Sequence, residues 1–326
     1  MIKRQLQYRP TPQYMLDLQK KYTLRSYPIP STINILLVVF HAFTYAGMAY
    51  GMPILLRTYP GYIGLWFLLG SVVTLFQAAQ AYSIAHEGFH DLLHHNKDIN
   101  YLLSRVMSIC FGMPLYIFRY VHAIHHRTNG TYKDLGRHEL APPNLLMAWV
   151  ELLGGMQPVL RTLLLACFLP KKYHGKFHEF LLKAKGDKLR DMRVDMVFIV
   201  LTRIITLYLW GLDYLLLWIW FSWLGDFFIS FYCPIFHQGG PMTDKWNSWN
   251  LYLPAPLRLC FLNFNMHQIH HLYPSVPWIY YPKIWKEIGA QWDATLWHGT
   301  LTQIIYHHRD IRTIRKQYND YLESQK

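Results

Sequence analysis

Residues 61–90 read GYIGLWFLLGSVVTLFQAAQAYSIAHEGFH, and the rest of the chain can be interpreted outward from them. The run Gly61–Ala85 is long enough to cross a bilayer, because about 30 Å of hydrocarbon needs roughly 20 helical residues. His86 and His90 follow this run directly, as an HxxxH motif. The stretch therefore predicts a membrane protein with a histidine-rich site beside the bilayer.

Other apolar runs extend the prediction to four transmembrane helices arranged as two hairpins. Ile33–Leu56 precedes the quoted stretch, and a short turn separates the two. Met196–Tyr232 is too long for one span, and Gly211 near its middle favours a turn. We interpret it as two spans, 194–211 and 213–233. The predicted fold class is all-α integral membrane, with a cytoplasmic helical cap that holds a dimetal site.

Composition and charge agree with a membrane protein of defined orientation. Only 16% of the residues are charged and 52% are apolar, whereas soluble domains carry about a quarter charged residues. If both hairpin tips face outward, the basic residues are cytoplasmic except Arg57 and Arg203. We therefore expect a multi-pass protein with active site and both termini in the cytoplasm, in the inner membrane if it is bacterial. This orientation explains the net charge of +13 better than nucleic-acid binding does.

Two further histidine motifs, each HxxHH, follow the first. In a helix, residues at i, i+3 and i+4 share a face, so each motif directs two or three imidazoles toward one point. Imidazole suits Fe, Zn, Cu and Ni, and eight ligands exceed what one four-coordinate ion needs. Two metal ions are therefore implied. The predicted ligands in the three motifs, called boxes one to three, are His86, His90, His122, His125, His126, His267, His270 and His271.

Other histidines receive separate predictions. His237 lies just beyond the last predicted span, as box one lies beyond the second span, and we predict that it is a ligand. His94 lies on the helical face of box one and is a possible ligand. His41 lies inside the first predicted span and is expected to be a core or interfacial residue.

Acceptors for the outer ring nitrogens of bound histidines are also expected, because a metal-bound imidazole normally donates its other N–H. Asp91 and Asn265 are candidates, as are Glu87, Asn263, Asp134 and Glu139. Asp226 lies inside the last span, at the same estimated depth as Arg203. It is expected either to pair with Arg203 as a clamp or to face a substrate tunnel below the metals. No catalytic residue separate from the metal ligands is predicted.

The weaker apolar run Asn144–Leu169 contains Glu151, Pro158 and Arg161. If it crossed the membrane, box three would lie on the opposite side from boxes one and two. We therefore expect an interfacial helix there. One domain, 1–326, is predicted, made of an N-terminus (1–32), a hairpin (33–85), a loop with boxes one and two (86–193), a second hairpin (194–233) and a cap with box three (234–326).

From about Ala85 to Trp278 the chain resembles the membrane fatty acid desaturase/hydroxylase superfamily, which carries these three boxes. The residues HHLYPSVPW at 270–278 are similar to the tail of box three in acyl-lipid desaturases and carotenoid hydroxylases. His237 matches the isolated histidine of that family. The resemblance implies two non-haem Fe ions (Fe2+/Fe3+), O2 as co-substrate and a fatty acyl or other long apolar lipid as substrate.

The resemblance leaves the outcome of the reaction open. Acyl desaturation is the leading expectation, and the alternatives are decarboxylation to a terminal alkene, lipid hydroxylation, or carotenoid hydroxylation or ketolation. No cytochrome b5 domain is fused, which implies a separate electron donor of the ferredoxin or cytochrome b5 type. A metal or proton transporter is disfavoured, because nearly all the histidines fall outside the predicted spans.

Overall fold

A computed structural model describes residues 13–129, 187–237 and 253–288, together with 246, 248, 250, 251, 297 and 298. The predicted interfacial helix over Asn144–Leu169 lies outside the described residues, as do Asp134 and Glu139. The described chain is mostly helical. Its helices are α1 (Gln13–Asp17), α2 (Ser31–Thr58), α3 (Pro60–Phe89), α4 (Lys97–Phe111), α5 (Leu115–Thr128), α6 (Asp187–Trp210), α7 (Leu215–Ile235), α8 (Ala255–Cys260), α9 (His267–Leu272) and α10 (Tyr281–Ile288).

Two of these helices contain a π-helical turn, and the described residues also include one pair of short strands. α2 contains a π-helical turn at Gly47–Gly51, and α3 contains one at Gln77–Ala81. Two short strands, β1 (Asn250–Leu251) and β2 (Trp297–His298), pair in parallel. This pairing is the departure from the all-α prediction among the described elements.

The chain separates into two compact units. The first unit comprises Met1–Pro30, Val121–Ala148 and Ser230–Lys326, and it contains boxes two and three with His237. The second unit comprises Ser31–Tyr120 and Trp149–Ile229, and it contains box one and the predicted spans up to Ile229.

Two helices of the second unit, α2 and α3, are long and apolar enough to cross a membrane, as the first predicted hairpin requires. α4 and α5 would add a third span only if the pair, bent by 96°, is counted as one. Among the described helices, α6 does not meet the same criterion, and the apolar part of α7, Leu215–Ile229, is shorter. Four spans therefore stay a prediction.

The outer faces of these helices carry large apolar side chains that are exposed. Phe43 on α2 is 74% exposed, and Tyr208 on α6 is 83% exposed. Large contiguous apolar surfaces are rare on soluble monomers, whereas lipid-facing helices require them. The inner faces pack around a buried cluster of Met52, Leu56, Trp210 and Phe221.

The α2–α3 turn and the α6–α7 turn are joined by side-chain hydrogen bonds, one of which uses a carbonyl whose helical partner is replaced by a proline. Pro53 has no N–H to donate to the carbonyl of Ala49, four residues earlier in α2. The indole Nε1 of Trp210 donates to that carbonyl at 3.1 Å. Arg57 Nη2 donates to the carbonyl of Trp210, also at 3.1 Å, and Tyr214 Oη donates to the carbonyl of Leu56. Both turns thus lie at the same end of the second unit.

α4 packs against α2, α3 and α6, and it supports the end of α3 that carries box one. It begins at Asn96, whose side chain accepts hydrogen bonds from the backbone N–H groups of Asp98 and Ile99. It ends at Gly112, whose φ of +74° suits glycine at a helix C-terminus. α4 therefore has a defined start and end beside box one.

Candidate metal centre

Box two lies on α5, and its spacing places the three imidazoles on two sides of one helical stripe. His122 and His126 are four residues apart, about 40° around the helix axis, whereas His125 is displaced about 60° the other way. The Nε2 atoms of His122 and His126 are 3.0 Å apart. The i, i+4 pair therefore faces one point, and His125 faces a different one.

Box three lies on the short helix α9, after a turn with unusual backbone conformation. Leu262 and Asn263 have positive φ angles of 45° and 55°, which non-glycine residues adopt only when the surrounding structure holds them. The Asn263 side chain donates to the carbonyl of Trp278 at 3.3 Å, and the Asn250 side chain accepts from the Gln268 backbone N–H at 3.0 Å. These bonds fix the start of α9 and its three histidines.

Four histidines of the first unit form one group, hereafter the four-histidine group. Their ligand nitrogens lie within 4.8 Å of one another. His267 Nε2 lies 2.9 Å from His237 Nε2 and 3.2 Å from His271 Nε2. His271 Nε2 lies 3.3 Å from His125 Nε2. The members are His125, His237, His267 and His271.

Three more histidines of the first unit form a second group, hereafter the three-histidine group. His126 Nε2 lies 3.0 Å from His122 Nε2 and 2.8 Å from His270 Nε2. Each HxxHH box therefore gives its i, i+4 pair to one group and its remaining histidine to the other. This division follows from helix geometry, and it places two histidine groups able to hold a metal ion side by side in one unit.

The arrangement of nitrogens fits metal ions better than a hydrogen-bonded core. A neutral imidazole Nε2 holds either one proton or one lone pair, yet His267 Nε2 and His271 Nε2 each face two other Nε2 atoms. An ion with metal–nitrogen bonds near 2.1 Å would place its ligands about 3.0–3.4 Å apart, close to the observed spacing. A cation at the centre of each group would use all of these lone pairs.

The electrostatics favour the neutral rings that metals require. His270 and His271 are fully buried. Burial lowers the pKa of His271 well below its usual value, and the neighbouring imidazoles, chiefly His126, lower it further. The ring therefore stays unprotonated at neutral pH, which is the state that can donate a lone pair.

Box one lies in the second unit, at the end of α3. His86 is 1% exposed, and its ring centroid lies 5.1 Å from that of His90. His94 stacks on His95, and its Nδ1 accepts the backbone N–H of Asn96 at 2.9 Å. Accepting at Nδ1 places the proton of a neutral ring on Nε2, so His94 offers no free lone pair in this conformation.

The predicted outer partners of the histidines lie elsewhere. Asn265 donates to the carbonyl of Leu251 at 2.7 Å and so joins box three to β1. Asp91 accepts from Arg119 at 2.6 Å and from Asn100 at 2.9 Å. Asp226 lines a cavity inside the second unit. In the described part of the chain, Asn265 and Asp91 therefore bond to a backbone carbonyl, a guanidinium and an amide.

The sequence did not predict one partner for the outer ring nitrogen of a box-three histidine. The hydroxyl of Tyr281 lies 3.1 Å from His270 Nδ1, the ring nitrogen that faces away from the three-histidine group. Tyr281 is fully buried at the start of α10. His270 and Tyr281 lie on two separate helices, α9 and α10, so no helical period relates them; the available signal was the place of Tyr281 after the proline-rich tail of box three.

Comparison with known proteins identifies the family of the chain. A sequence model of the fatty acid desaturase family matches residues 60–300, which include all three boxes and His237. The match confirms the resemblance drawn from the boxes. A search of curated proteins finds no match to the chain.

Proposed function

The chain belongs to the fatty acid desaturase family, and from this premise we propose that it is an O2-dependent membrane enzyme that desaturates fatty acyl chains. The observation that carries the proposal is the pair of histidine groups in the first unit. Bound iron would supply the redox chemistry with O2 that breaks an unactivated C–H bond. We propose no catalytic side chain apart from the metal ligands.

The protein residues hold and orient the metals. In the proposal, His125, His237, His267 and His271 hold one iron ion. His122, His126 and His270 hold the other, and Tyr281 orients His270 through its outer nitrogen. His86 and His90 of box one stay predicted ligands, as the sequence pattern implies. His94 is left out, because its Nδ1 already accepts a backbone N–H.

Electron balance requires a separate donor. Desaturation removes two hydrogen atoms and two electrons from the acyl chain, whereas reduction of O2 to two waters consumes four electrons and four protons. Two electrons and two protons must therefore come from elsewhere. We propose a soluble or membrane-bound donor of the ferredoxin or cytochrome b5 type.

The proposed location is a membrane, with the histidine groups on its cytoplasmic side. The contact between the α2–α3 turn and the α6–α7 turn supports two hairpins whose tips face the same side. The distribution of basic residues supports tips that face outward.

Lipid analysis tests the proposed reaction. Wild type and His125→Ala are expressed in a host membrane with a competent donor, and total lipids and headspace hydrocarbons are compared by mass spectrometry. We expect acyl chains two hydrogens lighter in the wild type alone. His95→Ala is the matched control, because His95 is exposed and belongs to neither histidine group of the first unit. Detection of terminal alkenes one carbon shorter, of hydroxylated acyl chains or of altered carotenoids would contradict desaturation. Each product would indicate decarboxylation, lipid hydroxylation or a carotenoid reaction, respectively.

A further inference from the structure

A cavity of about 170 Å³ lies inside the second unit, between helices that carry the predicted spans. Its walls are mainly apolar and include Met107, Trp210 and Phe221. Pockets that enclose a whole small-molecule ligand usually measure about 300–1,000 Å³. This cavity is therefore suited to one end of a longer molecule.

Two charged side chains line the same cavity, Arg203 from α6 and Asp226 from α7. Arg203 and Asp226 lie close enough for their charges to interact, but between these two described residues the predicted clamp is not formed as an ion pair within 4 Å. The Arg203 guanidinium instead lies over Gly112, with Nη2 at 3.1 Å from the position of a Cβ there. Charges within membrane helices are costly unless a partner neutralises or solvates them. The cavity thus contains a strong donor and a strong acceptor that are available to a ligand.

The neighbouring polar residues already bond to one another. His41 Nδ1 lies 2.5 Å from Gln77 Oε1, and Gln77 Nε2 donates to the His41 carbonyl at 3.1 Å. His41 Nε2 lies 3.1 Å from the side chain of Gln80. This mutual bonding agrees with the prediction that His41 is a core residue. Arg203 and Asp226 are the charged side chains of the lining, and charge-assisted hydrogen bonds are the strongest that it offers to a new polar group.

The pair selects among ligand chemistries. A hydrocarbon end would leave both charges without a hydrogen-bonding partner in an apolar setting. A carboxylate would be attracted by Arg203 but repelled by Asp226, and an ammonium group would be attracted by Asp226 but repelled by Arg203, so either ion satisfies only one of the two. An alcohol satisfies both residues, because its oxygen accepts from the guanidinium while its hydrogen is donated to the carboxylate. We propose that this cavity binds the hydroxyl group at the end of a long apolar lipid.

The position of the cavity relates this ligand to the reaction. Ala81 lines the cavity and precedes His86 by five residues on α3, which is about 7.5 Å along the helix axis. A lipid anchored by its terminal hydroxyl would thus lie within the same unit as box one. The inference rests on the proposed function in one respect, that a long lipid is the substrate.

Binding to the purified protein in nanodiscs tests the inference without turnover. The probes are omega-hydroxypalmitic acid against palmitic acid, and a carotenoid diol against its parent hydrocarbon. We expect the hydroxylated member of at least one pair to bind about tenfold more tightly to wild type, the effect of one charge-assisted hydrogen bond. Preference within the first pair identifies a fatty acyl source, and preference within the second identifies an isoprenoid source.

Variants assign the preference to the two charges. Arg203→Met and Asp226→Asn should each abolish it, whereas Arg190→Met and Asp213→Asn, at exposed positions, should retain it. Equal binding of both members of both pairs to wild type would overturn the inference, and this comparison needs no variant to fold. A preference that survives both cavity variants would also overturn it. Lipid analysis separates the two proposals. If the protein desaturates acyl chains but shows no preference for the hydroxylated probes, the cavity inference is overturned while the proposed function stands.

Discussion

Arg119 on α5 donates from Nη2 to the carbonyl of Gly88 at 2.7 Å, and Gly88 lies between the two histidines of box one. The same Nη2 donates to Asp91 at 2.6 Å, directly after His90. The carbonyl of Gly88 lies in the last turn of α3, where helix carbonyls lack intrahelical partners. Arg119 therefore joins the second-unit part of α5 to the chain segment of box one.

Removal of this cation should loosen box one. In Arg119→Met we expect metal affinity to fall by about tenfold, the lower range for the loss of a group that orients ligands. Arg119→Lys should recover part of the loss, because an ammonium can reach one of the two acceptors. Equilibrium titration with Co2+ and its visible ligand-field spectrum measure affinity and geometry together. Arg127→Met on the exposed face of α5 is the matched control, and equal losses in both variants would refute a positioning role for Arg119.

Gly88 itself is a close-packing position. A Cβ there would lie 2.5 Å from Ser104 Oγ and 3.0 Å from Ser104 Cβ on α4. We expect Gly88→Ala to separate α3 from α4 and to lower metal content, with partial recovery in the double variant Gly88→Ala/Ser104→Gly. Gly64→Ala is the control, since no atom lies within 4 Å of a Cβ at that position. Full metal content in Gly88→Ala would show that box one tolerates this displacement.

Asp195 on α6 supports the start of α5. Its carboxylate is 1% exposed, pairs with Arg105, and accepts the backbone N–H of Leu115 at 3.2 Å. Asp195→Ala should destabilise the protein by about 3 kcal/mol, because it leaves a partly buried guanidinium without its partner. Thermal unfolding in detergent measures the change. Asp187→Asn, in an exposed ion pair, should cost less than about 0.5 kcal/mol, and similar losses in both variants would argue against this role.

A pH dependence is expected where the N-terminal segment meets α10. Hydrogen bonds from Lys21 and then Tyr22 lower the pKa of Glu287 below its usual 4.5. A lowered carboxyl pKa contributes stability that is present above the unfolded value and is lost as the pH falls through the folded value. The hydrogen-exchange protection factors around Tyr22, which are corrected for the intrinsic exchange rate at each pH, should therefore fall below about pH 4.5. Glu287→Gln should remove this response and Asp17→Asn should keep it; an unchanged response in Glu287→Gln would contradict the assignment.

The grouping of the histidines within boxes two and three was predictable, because helical spacing alone brings the histidines of each box together. His122 and His126 share a face whatever surrounds them, and box three follows the same rule. The tertiary partners were not predictable in this way. Asn265 bonds to β1 instead of a histidine, and Tyr281 reaches His270 across a separation of eleven residues. Such contacts depend on how segments pack, which no local period encodes.

The helices were predictable where an uninterrupted run of apolar residues was long enough to cross a membrane. α2 and α3 cover the first predicted hairpin, whereas α6 begins at Asp187 with charged residues that precede the predicted span. The buried Asp195 of α6 pairs with Arg105 of α4, and hydropathy alone does not identify such a partner.

Metal content of the purified protein tests the central claim most directly. After anaerobic reconstitution with Fe2+, elemental analysis should give two iron ions per chain in wild type, one for each histidine group. His237→Ala removes a ligand from the four-histidine group alone and should reduce the content toward one, while His95→Ala should retain both. One ion or none in wild type, or two ions in His237→Ala, would contradict a centre built from these two groups.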